Sequence, residues 1–345
     1  MQIIKIKELE KAKIEKVHYD FCMGNLEILN KLNLHRHNAP QLYDFLIENL
    51  ENLLIGEKEQ LLQIIQLCPV ITGNINNELK LIFNYEIFRD NKPPKWGAYS
   101  YFKKLGVNAC PYCNRIFINP TKRLNRRKLT PLREKFDNQT YEWIKGHNPN
   151  LKPDIDHFYS KEKYPYLAIS LYNLIPCCTI CNSRLKHKRD WTILHPYSDS
   201  LDKHYRFTVD FENKEDIIMK EGVRKKDIEQ YFGTALLNNK TEVFKINLVP
   251  KNGSETKEAF LTKELFFIEE LYQNHKDYVL EILKKAQLYN EDYMDSLHEC
   301  FPDIFSSQED FLQAYLANYI NEDDINKRPL SKLTIDIAKE FGIIK

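Results

Sequence analysis

Glycine is scarce in this chain of 345 residues, with 10 in all, and proline is modest at 15. That scarcity argues against long flexible linkers and against collagen-like or low-complexity architectures. No internal repeat is visible, so a solenoid or propeller is not expected. No run of 18 apolar residues occurs, and the opening stretch "MQIIKIKELEKAKIEK" is charged from Lys5 onward. Neither a membrane-spanning helix nor a signal peptide is therefore expected, and cytoplasmic residence is the default.

What is present fits a folded chain of one large or two to three modest domains. A hydrophobic fraction of 43% fills a real core, and 29% charged residues supply an ordinary polar surface. Eight cysteines without an export signal lean towards metal binding rather than a disulfide framework. Cys22, Cys68 and Cys300 stand alone among apolar neighbours and read as core thiols. The net charge of +1 hides an asymmetry: Lys95 to Arg206 holds 21 Lys and Arg against 9 Asp and Glu. A basic third flanked by acidic ones is the footprint of a polyanionic partner, with a solvated surface as the plainer reading.

The chain divides into three segments. Residues 1–94 read as helical, with Leu42, Phe45, Leu46, Leu50, Leu53 and Leu54 at helical period between Pro40 and Gly56. A second stripe runs through "EKEQLLQIIQLCP", and "NKPPKWG" marks a boundary. Residues 95–205 are irregular, basic and aromatic. In residues 206–345, "YRFTVDF" and "VFKINLV" predict strands, a long amphipathic helix is expected from about Thr256 to Asn290, and "SKLTIDIAKEFG" predicts a closing helix. The fold class is α+β and mostly helical.

The chemistry is concentrated in the basic segment. Cys110 and Cys113 form one C-x₂-C pair, and Cys178 and Cys181 a second, 64 residues on. Two such knuckles suit a tetrahedral structural zinc, which would pin together remote segments; Cys177 falls outside the spacing, and free thiols or a redox pair are the alternatives. Between the knuckles lie Asp156 and His157, with Asn173 and Asn182 at the edges of the second knuckle. Carboxylate and amide oxygens are hard ligands suited to Mg²⁺ or Mn²⁺, and a neutral imidazole beside such an ion can deprotonate water. Together with basic surroundings they form a set able to hydrolyse a phosphodiester. Arg126, Arg127 and Lys128 in the long insertion, and Arg184, Lys186 and Lys188 after the last knuckle, are candidate contacts to nucleic-acid phosphates. Tyr159, Tyr164, Tyr166 and Tyr172 read as packing for a small metal-stapled core.

The order Cys110-Pro-Tyr-Cys113, Asp156-His157, Asn173-Leu174-Ile175-Pro176 and Cys178-Thr-Ile-Cys181-Asn182 resembles the zinc-bearing HNH, or ββα-metal, endonucleases over roughly 100 residues. More loosely, the stretch from Asp156 resembles the HNH subunit of Septu-type bacterial anti-phage systems, in which an ATPase accompanies the nuclease. The resemblance implies a central ββα-metal domain flanked by helical segments and a divalent-metal-dependent endonuclease acting on nucleic acid, with DNA as the expected substrate. It implies that His157 is the general base, that Asp156 and Asn182 hold the catalytic ion, and that Asn173 orients the loop. Many relatives carry His where this chain has Asn182; His187, five residues on, would point about 140° away on a helix. The rival reading is a non-catalytic zinc-finger module that binds nucleic acid or a partner protein.

Overall fold

The computed structural model describes residues 4–91, 93–121, 126–146, 152–187, 189–211, 240–251, 253–288, 296, 300 and 304–344. Its N-terminal part is built from short helices whose apolar stripes face one another. The stripe from Leu42 to Leu54 predicts one helix, but two form, Pro40–Glu48 and Leu50–Ile55. The break falls at Asn49, whose amide donates to the Phe45 carbonyl and so competes for a helical acceptor. Pro40 sits in the first turn, where its missing N–H costs nothing. Gly56 ends the second helix for a steric reason: a Cβ there would lie 2.3 Å from the Asn52 carbonyl oxygen. Further helices span Glu8–Asp20, Lys58–Leu67, Gly73–Ile82, Tyr85–Asp90 and Ala98–Leu105.

The centre is a small antiparallel hairpin, β1 (Asp154–His157) on β2 (Leu174–Cys177), in the register Asp154 to Cys177 and His157 to Leu174. A wide-turn π helix, Ile180–Lys186, follows β2 and packs back on β1. Two four-residue strands are marginal alone, and this pair is held from outside. Ser170 donates to the Leu53 carbonyl, Tyr101 to the Leu171 carbonyl, and the buried His18 ring lies 2.8 Å from the Ile169 oxygen. The helices Arg126–Lys135 and Asn138–Gly146 stand in the long insertion ahead of β1.

In the C-terminal part, β3 (Tyr205–Phe211) pairs antiparallel with β4 (Phe244–Pro250). Tyr205, Phe207, Val209, Phe244, Ile246 and Leu248 point inward at period two, as the alternation predicts. The final helix, Ser331–Glu340, lies on this ribbon, and Asp336 accepts the Phe207 N–H at 2.8 Å. The single long helix expected from Thr256 to Asn290 is instead Lys257–Leu265, Ile268–Tyr272 and Lys276–Leu288. Phe267 breaks it by adopting a left-handed backbone (φ 47°), which a periodicity of apolar positions does not register. Cys300, read as a core thiol, is exposed, whereas Cys22 is buried and Cys68 half-buried. The architecture is thus mostly helical α+β, with a small strand-and-cysteine centre flanked by helices. Among the described residues, no helix is long and apolar enough to cross a membrane.

Candidate metal centre

The two C-x₂-C pairs converge. Cys110, Cys113, Cys178 and Cys181 are all buried, and their sulfurs lie within 4.8 Å of one another. A tetrahedral shell with bonds of about 2.3 Å sets neighbouring sulfurs about 3.8 Å apart, and Cys113 Sγ lies 4.0 Å from Cys178 Sγ. Backbone N–H groups point at the sulfurs, Cys178 to Cys110 Sγ at 3.4 Å and Cys181 to Cys178 Sγ at 3.5 Å. Burial alone would raise the Cys110 thiol, yet donation from the thiols of Cys113, Cys178 and Cys181 outweighs it and holds Cys110 well below its ordinary value. Cys113 and Cys181 are pushed up in turn by the sulfurs they donate to. Four sulfurs so close cannot all ionise without a cation among them. The donor set fits a structural zinc, and four thiolates leave no open position for substrate. Cys177, its sulfur 3.9 Å from the Asp154 carbonyl, stays outside the cluster.

The residues expected to form a catalytic site are each committed elsewhere. Asp156, 3% exposed, accepts from the Lys186 ammonium at 3.0 Å and from the Tyr112 hydroxyl at 2.5 Å. Lys186 is itself buried and spends its other donors on the carbonyls of His157 and Phe158. The place where a hard divalent ion would neutralise Asp156 therefore holds the chain's own cation. His157 Nε2–H donates to the Ala168 carbonyl at 3.0 Å, and the Tyr85 ring packs edge-on against the imidazole at 4.6 Å. Burial, reinforced by Lys161, pushes the His157 pKa down to about 3, far from the near-neutral value that suits a general base. Asn173 accepts the Tyr159 N–H and donates to the Tyr159 and Leu167 carbonyls, which fixes the loop 159–167. Asn182 turns its amide to Asp154 at 3.4 Å rather than to Asp156. His187 lies beyond the π helix, exposed, with a left-handed backbone.

Among the described residues, the four cysteines are the one group of His, Cys, Asp or Glu ligands that converges. The expectation of a divalent-metal-dependent endonuclease, and with it the hydrolase and anti-phage roles, is corrected by this arrangement. An all-cysteine structural cluster is present, and among the described residues no His-Asn-His set converges beside it. Nothing here supports a separate Mg²⁺ or Mn²⁺ site.

The expected phosphate contacts separate. Arg184 is exposed on the π helix, whereas Lys186, three bonds deep in the Asp156 network, faces inward and cannot reach a phosphate. Arg126, Arg127 and Lys128 belong to the helix Arg126–Lys135, but their side chains, like the whole of Lys188, lie outside the described residues. Sequence reasoning passed over Phe136 and Trp143, which are 44% and 61% exposed and interleave with exposed Arg133, Lys135 and Lys145. It also passed over Tyr112 and Asn114 in "CPYCN". Tyr112 ties the first knuckle to β1, and Asn114 holds a left-handed backbone (φ 50°) that Asn tolerates better than most residues. Its place directly after the C-x₂-C pair, where a turn closes, was the available signal for Asn114. Compared with protein-family models, curated proteins and solved structures, the chain matches none.

Proposed function

We propose that the chain is a non-catalytic, zinc-binding module that docks on nucleic acid through its basic central segment. The observation that carries this reading is the pairing of a closed four-cysteine cluster with an Asp156 already neutralised by Lys186. The first supplies a rigid platform, and the second withdraws Asp156 from ion binding. The likeness to ββα-metal proteins is then one of scaffold: a hairpin and a following helix, stapled at the base by zinc. Docking would use exposed cations around that platform, Arg184 and Arg189 beside the second knuckle and Arg133 and Lys135 in the insertion. Phe136 and Trp143 supply faces on which bases can stack. Phosphate contact and stacking explain why a +12 segment carries exposed aromatics in its insertion.

Fluorescence anisotropy with labelled single-stranded and duplex DNA and RNA, across a salt series with Mg²⁺ present, tests this. The expected outcome is salt-dependent binding with the nucleic acid left intact. Absence of binding at low salt by zinc-loaded chain would overturn the nucleic-acid assignment and leave a protein partner as the module's ligand.

A further inference from the structure

The final helix, Ser331–Glu340, begins at a residue that cannot cap it. Its N-cap position is Leu330, left-handed (φ 63°) and with no side-chain hydrogen bond to offer. A helix start leaves N–H groups without intrahelical partners, and a short polar side chain normally satisfies one of them. Here that side chain comes from the first metal knuckle, more than 200 residues earlier in the chain. Asn114, next to the ligand Cys113 and fully buried, accepts the Lys332 N–H through Oδ1 at 3.3 Å and the Leu330 N–H through its carbonyl at 2.6 Å. Its amide donates to the Ile325 carbonyl at 2.9 Å and lies 3.5 Å from that of Arg328. The same stretch accepts a second clasp, since the N–H groups of Asn108 and Ala109 both donate to the Asn326 carbonyl. From the helix Ile268–Tyr272, the Tyr272 hydroxyl donates to the Cys113 carbonyl at 2.8 Å and so holds the knuckle itself.

We infer that Asn114 is a cap supplied to the C-terminal helix from a distant segment of the same chain, and that metal at the four cysteines gates that cap. The geometry depends on the knuckle turn. Asn114 meets the helix start from a left-handed backbone, in a turn closed by its own N–H donating to the Cys110 carbonyl at 2.7 Å, and a metal shared by Cys110 and Cys113 would hold that turn. Losing the metal frees the turn, and with it the register of Asn114 against Leu330 and Lys332. The start of the C-terminal helix is then a metal-responsive element, independent of whether the module binds nucleic acid.

Hydrogen exchange with mass spectrometry on the full chain, zinc-loaded and chelated, tests the inference. Asn114→Gly keeps the left-handed turn available and removes the cap. It is expected to retain one zinc per chain while the 325–340 peptides exchange roughly tenfold faster, in line with the usual cost of a lost cap. Chelating the wild-type chain is expected to reproduce that change without affecting the helices between residues 40 and 67, and to add little in the variant. Wild-type exchange in Asn114→Gly, or a chelated chain that keeps 325–340 protected, overturns the inference. So does a chelated chain in which all segments open together. Should Asn114→Gly fail to fold, Asn114→Asp serves: it keeps the acceptor for Lys332 and loses the donor to Ile325. Exchange midway between the two states is expected from it, and wild-type exchange overturns the inference.

Discussion

Two sets of four residues lie side by side at the centre of the chain, and they have opposite fates. The cysteines point their sulfurs at one another, with little but one another and two backbone N–H groups as partners. Asp156, His157, Asn173 and Asn182 are closer still in sequence order, on β1, the turn before β2 and the π helix, yet each side chain turns to a different protein partner. Convergence on a common point separates a metal site from a hydrogen-bond network. In the first set, ligand capacity is left over for an ion; in the second, it is consumed by the fold.

Removing the metal or a ligand from the first set should have the largest effect. Cys110→Ser is expected to abolish zinc in elemental analysis and to lower the denaturant midpoint of the central module more than any other single change named here. The second set should respond as a buried ion pair does. Lys186→Ala strands Asp156 and is expected to cost about 3–5 kcal/mol in denaturant unfolding, whereas the double change Asp156→Leu with Lys186→Met recovers most of it. Should added Mg²⁺ restore Lys186→Ala, the comparison breaks, because the carboxylate would then be an ion site held shut by a lysine.

Acid sharpens the contrast further. Burial holds His18 at about 4 and His157 and His195 at about 3, against an ordinary value near 6.5. All three stay neutral when folded and take up protons first on unfolding. Stability is therefore full above about pH 6.5 and falls as pH drops towards the folded values, by up to about 4 kcal/mol per pH unit for three groups. Denaturant midpoints between pH 7 and 5 check this, and His157→Gln should reduce the slope by one proton. Arg184→Glu together with Arg189→Glu should weaken nucleic-acid binding by about 1–2 kcal/mol and flatten its salt dependence without moving the melting temperature. The smallest effect is expected at Cys177→Ser, which should leave zinc content unchanged.

Much of this was legible in the residues. The knuckles were, because a C-x₂-C turn is a local geometric device whose spacing survives in one dimension. So were β3 and β4, whose inward residues repeat every second position. What sequence order could not carry was direction. Asp156-His157 beside Asn182 is compatible with a shared ion, and only the fold shows Lys186 curling back over one turn of π helix to take Asp156 first. Nor does an apolar stripe reveal the left-handed backbone at Phe267, since the stripe continues on both sides of the break.

The 64 residues between Cys113 and Cys178 have a consequence for how the chain varies and assembles. Closing a flexible loop costs only about 0.6 kcal/mol more for each doubling of its length. A metal that joins remote knuckles thus tolerates growth or shrinkage of the excursion that carries Arg126–Lys135 and Asn138–Gly146 at almost no thermodynamic cost. The kinetic side is less forgiving, because contacts distant in sequence form late. Each knuckle can capture an ion as a two-sulfur clip from the moment its own turn forms, and the second pair arrives only after β1 and β2 have found each other. A metal held by all four cysteines would therefore be gripped by one pair first and enclosed only once the hairpin brings in the second.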